Sequence, residues 1–303
     1  MSAGARFRAL LAPGRCLVTP GCHDALSARI AERAGFTALA IGGFAVEASL
    51  LGTPDIGLLS RDDMVTQARR IAGAVQVPVT CDGEAGFGSL HTIARLVREL
   101  EAAGIAGVQI EDQAQPRPMP MSSGRSLAPL DESVARIRAA VAARRDPHFV
   151  IIARSDADVD STEAQIERCN RYLAAGADMA MPITMVLDGR PVAALDGDAQ
   201  MDLLARLARE IDGPVKAMLV PSGYRAEDLG GIGFAVVGLT GGAIEAAAHA
   251  MDGAYRSLRE HGSEAAWRAA NNPAYPAPAG LAALLGAEEL RAFEDSVRGE
   301  PRA

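Results

Sequence analysis

Between residues 77 and 89 the chain reads VPVTCDGEAGFGS. An apolar run stops on two carboxylates, Asp82 and Glu84, and breaks at once into Gly86 and Gly88. Acids recur where the next apolar runs end: Glu111 and Asp112 close GVQIED, and Arg154 and Asp156 close FVIIARSDA. Asp55 lies in LGTPDIGLLS, just after the preceding run. Hard oxygen donors with no Cys or His among them suit Mg²⁺ or Mn²⁺. Asp82 and Glu84 share strand parity, so both are expected to face one ion. The glycines let the backbone leave the strand tightly. Taken singly, each acid could cap a following helix or pair with a surface arginine. Carboxylates at four successive strand ends, with one arginine among them, point to a metal site.

The elements that must position these residues alternate. Strand-like runs occupy residues 16–21, 38–43, 77–83, 107–112, 149–157, 179–183, 215–220 and 234–239. Between them, residues 24–35, 61–75, 90–104, 130–146, 162–176 and 199–211 carry apolar side chains at helical spacing. Eight strands separated by helices predict a parallel sheet, and the count predicts a closed (β/α)₈ TIM barrel with its site at the strand C-terminal ends. A doubly wound open sheet is the alternative, but TPGCHDALS after the first strand lacks the glycine fingerprint of a dinucleotide fold. Residues 1–303 read as one barrel domain, with residues from about 242 to 303 as a C-terminal helical extension that covers the barrel or packs on a neighbouring subunit.

Composition removes several classes of function. A net charge of −8 argues against nucleic acid or an anionic membrane as the main partner. No apolar run is long enough to span a bilayer, and MSAGARFRALLAPGRC is too short of apolar residues for a signal peptide, so a cytoplasmic location is expected. Cys16, Cys22, Cys81 and Cys169 are scattered without metal-ligand spacing. Lys216 is the only lysine.

Five motifs occur in order: PGCHDALSARIAERAGF, LGTPDIG, CDGEAGFGS, GVQIEDQ and RRDPHFVIIARSDA. Together they resemble the isocitrate lyase / phosphoenolpyruvate mutase superfamily, over roughly residues 6–260. The resemblance implies a (β/α)₈ barrel whose last helix is exchanged between subunits, giving a homo-oligomer built as a dimer of dimers. It implies Mg²⁺ or Mn²⁺ held, largely through water, by Asp55, Asp82, Glu84 and Glu111. It also implies a small 2-oxo or 2-hydroxy carboxylate on that metal, gripped by Arg154 and by backbone N–H groups of the turn at Gly42, Gly43 and Phe44, with Asp82 alongside. The shared chemistry passes through a metal-stabilised, pyruvate-like enolate.

The departures are equally specific. Lyases of the family carry a Lys-Lys/Arg-Cys-Gly-His loop after the EDQ, with the cysteine as acid/base. Here AQPRPMPMSSGRSL places Arg117 at the lysine, Met119 at the cysteine and Met121 at the histidine. Gly42 replaces a serine, Ile183 a strand-six glutamate, Met218 a strand-seven asparagine and His23 a tyrosine. The metal and carboxylate half is kept, and the half that holds a distal carboxylate and moves a proton is rebuilt and less polar. The expected activity is an Mg²⁺-dependent lyase or decarboxylase, distinct from isocitrate and 2-methylisocitrate lyases. Oxaloacetate decarboxylase-like and phosphonopyruvate hydrolase-like enzymes, a Schiff-base aldolase using Lys216 and a non-catalytic 2-oxo acid binder are the alternatives.

His23 either replaces the missing acid/base or caps the helix that starts at Asp24. Arg117 is the remaining loop candidate for catalysis. Lys216 shares parity with Met218 and should point into the barrel, where it pairs with a buried carboxylate or serves as a Schiff-base amine.

Overall fold

A computed structural model describes residues 1–115, 124–271 and 279–298. Eight parallel strands close a barrel in which each pairs with its sequence neighbours and the last pairs with the first. They are β1 (Leu17–Cys22), β2 (Leu39–Ile41), β3 (Val79–Asp82), β4 (Gly107–Glu111), β5 (Val150–Ser155), β6 (Met179–Pro182), β7 (Val215–Ala217) and β8 (Phe234–Leu239). The eight expected strands are all present; β8 keeps the expected bounds, β1 is shifted by one residue to 17–22, and the other six are shorter than expected.

The trimming has local causes. The run at 38–43 stays extended only to Ile41, because Gly43 opens helix α3 (Gly43–Leu51) with Gly42 as its N-cap. The run at 77–83 ends at Asp82, and Glu84 adopts a left-handed backbone with φ 52°. Strand parity therefore does not extend to Glu84, and a folded-back turn brings its carboxylate to Asp82. Gly86 lies in the same turn with φ 93°, and a methyl group there would collide with Ile93.

Helices α4 (Arg61–Ala74), α5 (Leu90–Ala102), α6 (Leu130–Ala143) and α7 (Thr162–Ala174) bury one face against the sheet. Side-chain caps fix several entry points: Asp24 caps α2 (Ala25–Arg33), Ser60 caps α4 and Ser161 caps α7. Phe7, on α1 (Ala3–Leu10), is 1% exposed and packs with Ala38, Ala106 and Val150 at the strand N-terminal ends. That seal leaves the opposite end as the mouth.

The chain divides into two compact units, Met1–Gly242 and Ala243–Ala303. Within the second, α10 (Gly242–His261), α11 (Ala265–Asn271) and α13 (Ala287–Arg298) bury no residue. Gly253 brings α10 against the Trp267 indole. No helix among the described residues is long and apolar enough to cross a membrane.

Candidate active site

Asp82 organises the mouth. One of its oxygens accepts a hydrogen bond from the Glu84 N–H at 3.0 Å, and the other accepts from the Gly43 N–H at 3.3 Å. Gly43 has no side chain because the Glu84 carboxylate occupies the space where one would project, with Asp82 Oδ2 3.4 Å from the same point. The two acids thus meet over the start of α3. The Gly43 N–H, expected to face a substrate carboxylate, is taken by Asp82.

Glu111 and Arg154 are paired across the β4–β5 ladder. Arg154 Nη1 lies 3.3 Å from Glu111 Oε2, while Nε and Nη2 each donate to Asp156 at 2.8 Å. Burial works against the guanidinium charge, but Asp156, Glu111 and Asp82 outweigh it and hold the Arg154 pKa well above its ordinary value. Burial likewise opposes ionisation of Asp156, and Arg154 with Arg125 overcomes it, so its pKa is lowered.

Asp82 and Arg154 border a cavity of about 260 Å³, whereas Gly43, Glu84 and Glu111 are not among its lining residues. Asp55, Asp82, Arg154, Gly42 and Phe44 line it, as expected. Asp55 is carried by a loop whose Thr53 hydroxyl and Ile56 N–H both donate to buried Glu47. A larger hollow of about 800 Å³ touches Glu84 but none of Asp55, Asp82 or Arg154, and lies away from the convergent charges.

Two candidates fall elsewhere. His23 does not line the cavity, and Asp24, with Ser27, caps α2 in its place. The His23 ring is buried with Nδ1 unpartnered. Arg117, Met119 and Met121 lie outside the described residues.

Apolar side chains line the cavity as well: Met181 on β6, Ile183 and Met185 after β6, and Met218 after β7. Met218 and Ile183 were legible from the departures, whereas Met181 and Met185 were not. Arg125 also lines the cavity and was missed. It donates to Asp156 at 3.0 Å and to both oxygens of Asp158, at 2.8 and 3.0 Å. Its only sequence signal was a lone cation following the loop that departs from the family. Behind it, Asp112 accepts from Ser155, from the Asp156 N–H and from Tyr172. Burial first, then Asp156, raises the Asp112 pKa.

Lys216 projects into the barrel as its parity requires, but its partner is the amide of Gln109, at 3.2 Å, instead of a carboxylate. Asp82 still favours the charged amine through space, without a hydrogen bond to it.

The donor set was tested against a divalent ion. Asp82, Glu84 and Glu111 are hard oxygen donors gathered at one barrel end. Among the described residues, no three acidic, histidine or cysteine side chains form a ready-made metal cage. That combination fits Mg²⁺ or Mn²⁺ held through retained water better than a directly ligated ion.

A sealed (β/α)₈ barrel with an acid-lined mouth and a buried arginine fork defines an enzyme-like scaffold for small anions. The chain belongs to the phosphoenolpyruvate phosphomutase family, whose profile matches residues 7–259. The 2,3-dimethylmalate lyase of Eubacterium barkeri is 41% identical over 180 residues, covering 59% of this chain and 62% of that protein. The chain thus spans less than two thirds of that relative's length in the match. Oxaloacetate acetylhydrolase, solved with 3,3-difluorooxalacetate, superposes with a TM-score of 0.85 at 27% identity, covering 100% of this chain and 99% of that one. Phosphonopyruvate hydrolase, solved with oxalate and Mg²⁺, superposes with a TM-score of 0.81 at 27% identity, covering 97% and 98%.

Proposed function

We propose that this chain is a divalent-metal-dependent lyase that breaks a carbon–carbon bond in a small 2-hydroxy or 2-oxo carboxylate with a methyl-bearing, weakly polar portion. The observation that carries this reading is the mixed lining of the cavity. Asp82 and Arg154 border it together with Met181, Ile183, Met185 and Met218. 2,3-Dimethylmalate carries a methyl group on each of C2 and C3 and one carboxylate fewer than isocitrate or 2-methylisocitrate. The relative named for that compound supports the choice.

Asp55, Asp82, Glu84 and Glu111 would hold Mg²⁺ or Mn²⁺. A bound ion supplies Lewis-acid stabilisation of negative charge that develops on the oxygen of the substrate's C2. Arg154, with its fork fixed by Asp156, offers its remaining N–H groups to the substrate carboxylate. The positive end of α3 faces the Asp82 and Glu84 carboxylates and offsets their charge. The methionine and isoleucine wall accepts the methyl-bearing carbon and excludes water from it. In a 2-hydroxy acid the C2 hydroxyl gives its proton to a base as the C2–C3 bond breaks. C2 becomes the carbonyl of a 2-oxo acid, and the electron pair left on C3, shared with the carboxylate there, takes up a proton. Isocitrate and 2-methylisocitrate would place an extra carboxylate against that apolar wall, at a desolvation cost of several kcal/mol.

Ala243–Ala303 is read as the exchanged, oligomer-forming segment of a dimer of dimers. Its described helices expose Tyr255, Leu258, Leu290, Phe293 and Val297. A cytoplasmic location completes the proposal.

The test is a substrate panel with Mg²⁺, following 2-oxo acid release from 2,3-dimethylmalate, isocitrate, 2-methylisocitrate, oxaloacetate and phosphonopyruvate. Turnover of the first, abolished by EDTA and restored by Mn²⁺, is expected. Robust turnover of isocitrate would overturn the assignment of the apolar wall.

A further inference from the structure

The buried groups that this mechanism leaves unused include Lys216. It lines the same cavity as Arg154, on β7, and is 4% exposed. An ammonium carries three donors, and burying one without an anion is costly. Yet among the described residues Lys216 donates to a neutral amide, Gln109 Oε1. No ion pair to it is found among the described residues. The space it fills is made by a glycine: a methyl group at Gly238 would lie 2.7 Å from Lys216 Cε and 3.2 Å from Nζ. A lysine kept only for structure would be expected to meet a carboxylate. This amine is instead held by Gln109 and Gly238 and opens into a ligand cavity.

We infer that Lys216 is a reactive amine that captures a 2-oxo acid in this cavity as an imine. The inference rests on the reading that 2-oxo acids enter here. The neutral amine nitrogen attacks the C2 carbonyl carbon and forms a C–N bond. The carbonyl C–O bond breaks, and the oxygen leaves as water with the two amine hydrogens, so no oxidant or further reactant is needed. Arg154, on the same cavity wall, is placed to hold the adjacent carboxylate. Burial lowers the Lys216 pKa to about 8, with Asp82 opposing the shift and Arg154 adding to it. On the order of a tenth of the amine is therefore uncharged at pH 7, far more than for an exposed lysine.

The chain is well suited to a test, because Lys216 is its only lysine. The full-length protein is incubated with pyruvate, without metal and then with Mg²⁺, and reduced with borohydride. Trypsin cuts after an unmodified Lys216 but not after its reduced adduct. The diagnostic product is therefore the uncut peptide Glu210–Arg225 carrying the added pyruvate atoms. Near-stoichiometric adduct in the wild type and none in Lys216→Arg or Lys216→Met is the expected result. Adduct confined to the N-terminal amine would overturn the inference. Pyruvate affinity is measured in parallel by calorimetry. Binding without adduct overturns the imine and leaves the substrate reading intact, whereas absence of binding removes both. A circular dichroism melt confirms that each variant is folded.

Discussion

Arg154 holds Asp156 through two parallel hydrogen bonds of 2.8 Å, so the cation at the mouth is fixed in place before any ligand arrives. Lysine keeps the charge but cannot make this fork. Arg154→Lys is expected to lower oxalate affinity at saturating Mg²⁺ at least tenfold, and Arg154→Ala further. Loss of one partner from the buried pair should also reduce unfolding free energy by about 3–5 kcal/mol in Arg154→Ala. Equal oxalate affinities in all three proteins would mean that the guanidinium serves Asp156 and Glu111 alone.

Asp82 holds both the Gly43 N–H and the Glu84 N–H in addition to its proposed metal role. Asp82→Asn should weaken Mn²⁺ binding by about 10- to 100-fold while the barrel remains folded. Mn²⁺ titration followed by electron paramagnetic resonance reads the affinity, and a thermal melt reads the fold. Unchanged affinity would place the ion elsewhere.

Two glycines separate function from stability. At Gly43 an added methyl meets the carboxylate end of the Glu84 side chain, not backbone. Gly43→Ala should therefore change stability by less than about 1 kcal/mol and yet displace a proposed metal ligand. At Gly21 an added methyl meets the backbone of Thr240 instead. Gly21→Ala should cost about 1–3 kcal/mol or more in urea unfolding. The order of the two unfolding midpoints is the check, with Mn²⁺ affinity as the second reading.

Lys216 gives stability a pH dependence whose sign is set by its lowered pKa. Between about 8, where the folded protein releases the proton, and 10.5, where an unperturbed lysine does, the unfolded chain binds more protons. The Lys216 contribution therefore destabilises fully below pH 8 and fades as pH rises. Lys216→Met should stabilise the protein at pH 7 by about 2–3 kcal/mol, allowing for the lost Gln109 bond. That gain should shrink toward pH 10. Urea unfolding of both proteins at pH 7, 9 and 10 tests this, and a constant difference would contradict the shift.

The barrel was legible because its strands are uniformly apolar and its helices strongly periodic, so both repeats survive in a single sequence. Asp82 and Arg154 were legible because strand ends fall at predictable places, whereas Asp55 follows α3 and was singled out by the resemblance. Glu84 reached its position by a different route, through a left-handed turn that period-two counting cannot represent. Arg125, Met181 and Met185 were not legible as cavity residues. Met181 lies inside β6 and looks like any core methionine, while Arg125 and Met185 follow irregular backbone whose course depends on distant contacts. Lys216 was placed correctly in direction but not in partner, because parity fixes where a side chain points and says nothing of what it meets.

Asp158 grips the Arg125 guanidinium, and its Oδ2 also accepts the N–H groups of Met185 and Val186 at 2.9 Å each. One carboxylate thus joins the Arg125 guanidinium to the backbone at Met185 and Val186, after β6, and the three form a latch. The amide protons of Met185 and Val186 then become natural reporters of that latch. Their hydrogen exchange should slow when an anion settles beside Arg125, although the anion touches neither amide.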